Sequence, residues 1–375
     1  MGDNMLRRFS VENYRNFKEK IILDFTGKRD YQYNEYCIKD GLISKMIIFG
    51  KNGAGKSNLS LALFDIVSVL TDKQITSEQQ DELCFLNADS DKPYVAFEYE
   101  FQMKNGIIIT YKYKKSSPTQ IVEEQLLIDS IQLLRYDHID KKITLGPNTP
   151  EITLNFDKIP DTLSVVRFIA NNTAIEENDP ISFIVNFANK MLWFKSLRNN
   201  RYMGFKRGSD DIADYIIKNG LVVDLQNFLY KMAGLQYTLA GDMDTVTNQN
   251  RLIEKHSRRP LLFDDAASTG TSALILFFYW SQIFKDVSFL CIDEFDAFYH
   301  FELSREIVRY IAKLNNVQAL LTSHNTYLVS NELLRPDCYM TLRDGKLTSF
   351  ADATPRELRE GHNLEKMFRS GEFDA

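Results

Sequence analysis

Gly50-Lys51-Asn52-Gly53-Ala54-Gly55-Lys56-Ser57 constrains this chain more than any other stretch. An apolar run, Met46 to Phe49, is long enough only for a buried strand; it breaks into the glycine-rich octet, and helix-forming residues follow. Gly50, Gly53 and Gly55 permit a tight turn whose backbone N–H groups converge at the positive end of the next helix, where a phosphate chain is held. In the spacing G-x-x-x-x-G-K-S, Lys56 reaches the β- and γ-phosphates and Ser57 offers its hydroxyl to Mg²⁺. Nucleotide and Mg²⁺ are the expected ligands.

Composition bounds what surrounds the loop. The chain has 375 residues, long for one compact core, so one large domain with an insertion, or two domains, is expected. A net charge of −6 gives no global attraction to nucleic acid or anionic membrane, so such contact requires a local patch. Cys37, Cys84, Cys291 and Cys338 show no Cys-x-x-Cys spacing, which reads as a reduced chain without structural zinc. The N-terminus carries charges where a signal peptide needs an apolar core, and the most apolar run, Ala273 to Trp280, is too short for a bilayer. A cytoplasmic protein with no membrane partner is expected.

Strands and helices do not simply alternate. Before the loop, "LRRFSVENY" and "KEKIILDF" read as strands around a turn at Arg15-Asn16. After its helix, Val95, Phe97, Tyr99 and Phe101 alternate with polar residues and turn at Asn105-Gly106 into "IIITYKYK", a hairpin with one wet face. From Asp179 to about Gly234 the pattern turns helical.

The second half supplies further chemistry. "VSFLCIDEFDAFYH" is an apolar strand ending in Asp293-Glu294. A carboxylate at a strand's C-terminal edge anchors Mg²⁺, and its neighbour orients or deprotonates the attacking water. "VQALLTSHN" ends a second such strand at His324, whose imidazole suits the γ-phosphate. Small GTPases and kinases place the metal carboxylate much nearer the loop; here more than half the chain intervenes. Upstream of Asp293, Ser268-Thr269-Gly270-Thr271 opens an apolar helix, and Ser268 or Thr269 reads equally as an ordinary N-cap.

In that order, these motifs resemble ABC-type ATPases of the RecF, SMC and OLD branch, over roughly residues 1–100 and 255–375. The closing "LLRPDCYMTLRDGKLTSF" and "ELREGHNLEKMFRSGEF" are similar to AAA-type ATP-binding proteins of bacterial anti-phage defence and abortive-infection loci. The resemblance implies an α/β P-loop fold with a mixed central sheet, an N-terminal antiparallel β lobe and an inserted mainly helical region. The corresponding divisions are 1–160, 161–255 and 256–375. Carried over by position, Gly50, Asn52, Gly53, Gly55, Lys56, Ser57 and Asn58 hold ATP; Ser57 and Asp293 hold Mg²⁺; Glu294, Asp293, His324 and Lys56 are catalytic. Ser268 and Gly270 match the signature that caps the γ-phosphate of an opposing subunit, although Ser-Thr-Gly-Thr departs from the Ser-Gly-Gly-Gln of transporters. Arg15 and Asn16 match an N-terminal motif that touches nucleotide in relatives. A γ-phosphate-sensing glutamine should lie between loop and signature, with Gln102 and Gln125 as candidates. No coiled-coil arm and no OLD-type nuclease site are expected.

The middle segment bears on partners. Residues 190–207 carry six basic side chains and no acidic one among Trp193, Phe194, Tyr202 and Phe205. Either these aromatics stack on DNA or RNA bases, or the segment is a helix with an apolar stripe and a solvated basic face. Lys255, Arg258 and Arg259 form a second basic cluster. The expected function is an ATPase acting as sensor or motor of an anti-phage defence system, a homodimer or higher homo-oligomer whose ATP-driven closure controls a separate effector or toxin. An ATP-held scaffold sequestering a toxin, or RecF-like DNA repair, are the alternatives.

Overall fold

The structure, a computed structural model, describes residues 5–73, 83–147, 154–174, 176, 179–195, 202–205, 211–244 and 249–374, with nothing said of the Asp264 side chain. Two seven-stranded sheets share one continuous apolar core. The first is antiparallel throughout, in the order Lys142–Leu145, Ile131–Asp137, Ile121–Ile128, Ile108–Lys115, Val95–Gln102, Met5–Glu12, Ile21–Asp24. This is the expected β lobe. Val95, Phe97, Tyr99 and Phe101 are all buried on its inner face, and Gly106, at φ 87°, makes the turn between the two central strands. The alternation in sequence is the physical record of one dry and one wet face.

The second sheet is mixed. Its order is Tyr202–Gly204, Met191–Lys195, Phe289–Asp293, Gln318–Ser323, Lys45–Phe49, Tyr339–Arg343, Lys346–Ser349. The central five strands run parallel, and an antiparallel strand closes each edge. Every residue of Lys45–Phe49, Phe289–Asp293 and Gln318–Ser323 is buried, as strands covered on both faces must be. Parallel pairing brings the C-terminal ends of Met191–Lys195, Phe289–Asp293, Gln318–Ser323 and Lys45–Phe49 to one edge, where open α/β sheets bind ligands.

The two sheets are fastened by directed bonds as well as by packing. The buried Gln318 side chain accepts from Leu6 N–H at 3.0 Å and donates to the Leu6 and Ile43 carbonyls at 2.9 and 3.2 Å. Tyr99 Oη donates to the Ala62 carbonyl at 3.0 Å, holding the β lobe against the helix Lys56–Leu63 that follows the glycine loop.

The described residues of segment 161–255 are mainly helical, as expected, with strands among them. The segment holds the helices Val165–Asn172, Pro180–Asn189, Ile212–Lys218 and Val222–Ala233, and the hairpin Leu239–Met243 with Asn250–Glu254. Yet Met191–Lys195 and Tyr202–Gly204 belong to the second sheet itself. Met191 to Phe194 are buried in succession, and a short run buried on both faces lacks the period that separates strand from helix. Among the described residues, no helix is long and apolar enough to cross a membrane.

Candidate active site

The glycine loop closes over contacts that a side chain would block. A Cβ at Gly50 would lie 2.8 Å from the Leu342 carbonyl oxygen. Gly55 has φ 103°, and its Cβ would meet Asn16 Nδ2 at 2.4 Å. Only glycine combines that backbone with that approach. Gly55 is also the N-cap of the Lys56–Leu63 helix, so its positive end faces the loop.

Lys56 is buried at 6% exposure. Its Nζ donates to the Gly50 carbonyl at 2.8 Å and the Lys51 carbonyl at 3.3 Å, and lies 2.9 Å from His324 Nε2. Burial pushes the ammonium pKa below its ordinary value, and the Asp293, Glu294 and Asp296 carboxylates oppose that shift. Desolvation, and then the Lys56 charge, hold the His324 imidazole below its ordinary value. Lysine and histidine therefore meet with their polar atoms gathered at the mouth of the loop.

Ser57 Oγ donates to Asp293 Oδ2 at 2.7 Å, joining two residues 236 positions apart in the chain. Asp293 is fully buried at the end of its strand. Thr322 Oγ1 donates to the other oxygen, Asp293 Oδ1, at 2.7 Å, and accepts from Glu294 N–H at 2.8 Å. Glu294 has the left-handed φ of 50°, uncommon outside glycine, asparagine and aspartate. One threonine hydroxyl thus orients the first carboxylate and pins the backbone of the second. Beyond them, Ser323 Oγ donates to Asp296 Oδ2 at 2.7 Å; burial raises the Asp296 pKa, and this bond opposes the rise.

On the other flank, Arg15 Nη1 donates to Asn58 Oδ1 at 3.2 Å, Asn58 Nδ2 to Asn16 Oδ1 at 2.7 Å, and Asn16 Nδ2 to the Ala54 carbonyl at 3.3 Å. The β lobe thus contributes Arg15 and Asn16 to the back of the loop. A cavity of about 710 Å³ opens in front of it, lined by Gly50 to Ala54, His324, Thr341, Arg343 and Phe368 among others. That volume accommodates a nucleotide.

The structure therefore brings together Lys56, Ser57, Asp293, Glu294 and His324 around the loop, with Arg15, Asn16 and Asn58 behind it. Of the carried-over residues, Gly50, Asn52, Gly53 and His324 line the cavity, and Lys56, Ser57, Asp293, Glu294, Ser268 and Gly270 do not. Ser268 is an exposed N-cap of the Thr269–Ser281 helix, accepting from Thr271 N–H at 3.2 Å. A Cβ on Gly270 would lie 2.9 Å from the Phe298 carbonyl oxygen, so this glycine allows the helix to approach the turn after Glu294. Neither glutamine candidate is at the site. Gln102 and Gln125 both sit in the antiparallel sheet, where Gln102 bonds Arg7 and the Asp40 carbonyl and Gln125 bonds Gln132.

Of the two alternatives for 190–207, base-stacking aromatics or a helix with an apolar stripe, neither describes Met191–Lys195 and Tyr202–Gly204, which are strands. Trp193 and Phe194 are buried, Phe194 stacks on Trp280 at 5.9 Å, and Tyr202 packs on the same indole at 4.8 Å, so these rings are core and cannot stack on bases. Arg198 and Arg201 lie outside the described residues. Lys255, Arg258 and Arg259 are exposed. Sequence reasoning missed three residues at the site: Thr322, Asp296 and Lys195, whose Nζ is 3.4 Å from Asp293 Oδ2. Thr322 was available as the residue two before His324, and Asp296 as the second aspartate of "DEFD". Lys195 carried no signal beyond its place in a basic run.

Donors and acceptors suit Mg²⁺ and a triphosphate. A serine hydroxyl and a buried carboxylate oxygen meet at 2.7 Å beside a glycine cradle, and Mg²⁺ typically takes one or two protein ligands and fills the rest with phosphate and water.

The sequence model of the family described as "AAA domain, putative AbiEii toxin, Type IV TA system" matches residues 45–330. A search among curated proteins found no match. Among solved structures, the SmcHead bound to the C-winged helix domain of ScpA is 13% identical, with 92% of this chain and 97% of that chain covered and a TM-score of 0.48. The SMC head domain from Thermotoga maritima is 15% identical, covering 94% and 100%, with a TM-score of 0.44. The recombination mediator protein RecF-ATPrS is 11% identical, covering 93% and 99%, at 0.42. At these values the likenesses carry no functional argument.

Proposed function

The chain belongs to the AbiEii-type AAA-domain family and is an ATPase, and from that premise we propose that it hydrolyses ATP with the residues gathered at the C-terminal edge of its parallel strands. The observation carrying this reading is the convergence of Ser57, Asp293 and Thr322 through two 2.7 Å bonds, with Lys56 and His324 in contact 2.9 Å apart at the same place. Lys56 would leave the loop carbonyls and His324 for the β- and γ-phosphates. Ser57 and Asp293 would hold Mg²⁺, which neutralises charge developing on the β,γ-bridge. Glu294 would orient the attacking water and accept its proton on a carboxylate oxygen; the bond from its N–H to Thr322 fixes its backbone for that task. His324 would hydrogen-bond the γ-phosphate.

Phosphate release tests the assignment. Lys56→Ala should abolish nucleotide binding, and Asp293→Ala should leave binding measurable while abolishing Mg²⁺-dependent turnover. Wild-type activity in either variant would overturn these roles.

The family description, which names a putative toxin of a type IV toxin–antitoxin system, suits a role in such a system, and our wider reading is a defence ATPase paired with a separate effector or toxin. In this reading two copies close on ATP, the Ser268 and Gly270 end of one helix facing the loop of the other copy, and closure governs the effector. Co-purification with the product of an adjacent gene, gained or lost with ATP, is the direct test. A chain isolated alone under all nucleotide conditions would remove the effector from the account.

A further inference from the structure

We propose that Lys195 is a second phosphate-contacting cation, held on Asp293 when nucleotide is absent and passing to the γ-phosphate when ATP and Mg²⁺ arrive. This rests on the reading of the glycine loop as the ATP site.

The placement is dictated by the sheet. Met191–Lys195 runs parallel to Phe289–Asp293 in the register Met191↔Phe289 to Lys195↔Asp293, so the last residue of one strand stands directly beside the last residue of the other. Along the edge the order is Lys195, Asp293, the end of Gln318–Ser323 with His324 next, and then Phe49 leading into the loop. Lys195 and the strand leading into the Lys56 loop thus stand on either side of the Phe289–Asp293 and Gln318–Ser323 strands along this edge.

Lys195 and Ser57 converge on the same atom. Asp293 Oδ2 accepts from Ser57 Oγ at 2.7 Å and has Lys195 Nζ at 3.4 Å. The other oxygen already has Thr322. The lysine is therefore the loosest partner of this carboxylate, at a distance longer than the 2.7–2.9 Å or so of a well-formed charged hydrogen bond. Its side chain is 15% exposed against 0% for Asp293. A divalent ion ligated by Ser57 and Asp293 would compete with the ammonium for that carboxylate.

An ammonium and Mg²⁺ cannot share one carboxylate oxygen without like-charge repulsion at close range in a partly desolvated site. The flexible four-carbon stem lets Nζ leave Asp293 without backbone movement, and the strongest anion within reach is then the γ-phosphate. ADP supplies no such group. Lys195 consequently discriminates ATP from ADP, a task for which neither Gln102 nor Gln125 is in position.

Calorimetric binding of a non-hydrolysable ATP analogue and of ADP, each with Mg²⁺, tests this on the full chain. Lys195→Met should weaken the analogue about tenfold or more while ADP changes less than about twofold, because only a γ-phosphate contact is lost. Lys195→Arg should recover most of the analogue's affinity. Equal weakening of both ligands, or no change in either, overturns the proposal while leaving the ATP site intact. Wild-type protein that binds neither ligand overturns the site itself. If thermal melting shows that the Met variant does not fold, Lys195→Gln, which keeps a polar side chain beside Asp293 but not the charge, is put through the same comparison with the same two outcomes.

Discussion

Thr322 shows how much one hydroxyl decides at this site. Its Oγ1 gives its proton to Asp293 Oδ1 and takes one from Glu294 N–H, so the two neighbouring carboxylates are held by a residue on a different strand. The threonine is fully buried, and water cannot replace it. Thr322→Val keeps shape and volume but leaves the Asp293 oxygen and the Glu294 N–H without this partner. Stability should fall by about 1–3 kcal/mol, the cost of leaving buried polar groups unsatisfied. Turnover should fall by about tenfold or more, since Glu294 loses the contact that fixes its left-handed backbone. The ATP affinity of the variant should stay close to wild type, because the Lys56 contacts with the loop are untouched. Denaturant unfolding, phosphate release and calorimetry separate the three, and full turnover in Thr322→Val would show that Glu294 needs no such anchor.

At the scale of elements, the strand Met191–Lys195 matters most, because it carries Lys195 to the carboxylate edge and is in turn held by its antiparallel neighbour. Gly204 makes that pairing possible: φ is 94°, and a Cβ would lie 2.0 Å from the Met191 carbonyl oxygen. Gly204→Ala should cost more than about 2 kcal/mol, because backbone and not a flexible side chain must move. It should also lower turnover by shifting Lys195. Gly106→Ala is the control: φ is 87° but no atom lies within 4 Å, so about 1 kcal/mol and unchanged turnover are expected. Equal effects of the two substitutions, by melting and phosphate release, would show that the edge strand does not position the site. The same strand marks the limit of what was legible. The glycine loop, Asp293-Glu294 and His324 could be read because ligand chemistry fixes residue types at fixed spacing, and the β lobe because its strands alternate wet and dry. Met191 to Phe194 satisfy neither condition. Buried on both faces, they have no period, and their aromatic and basic composition imitates a nucleic-acid surface. Gln102 and Gln125 fail differently: a polar side chain on the wet face of the β lobe has the same sequence context as one aimed at a ligand.

For the whole molecule, the signature helix and the loop have different relations to the site. Ser268 Oγ caps the helix through Thr271 N–H, and Gly270 packs close to Phe298, in the turn that follows Glu294. The exposed start of this helix thus packs against the turn that follows Glu294. Each copy would offer one loop face and one helix face, and two-fold pairing would satisfy both with two nucleotides enclosed. Glu294→Gln preserves size and hydrogen bonding but removes the base, so the closed pair should accumulate in ATP. We expect a larger paired population for this variant in ATP and Mg²⁺ than in ADP, measured by light scattering for mass and by cross-linking for closure. Adding Ser268→Arg should abolish the difference by setting bulk and charge against the opposing nucleotide. That change also removes a helix cap, at about 1 kcal/mol, so melting must show the double variant folded before its result is used. A monomer in every nucleotide state with full ATPase activity in the parent chain would end the paired mechanism. A dimer held constitutively elsewhere would not, because only the closure of the loop against the opposing helix depends on ATP.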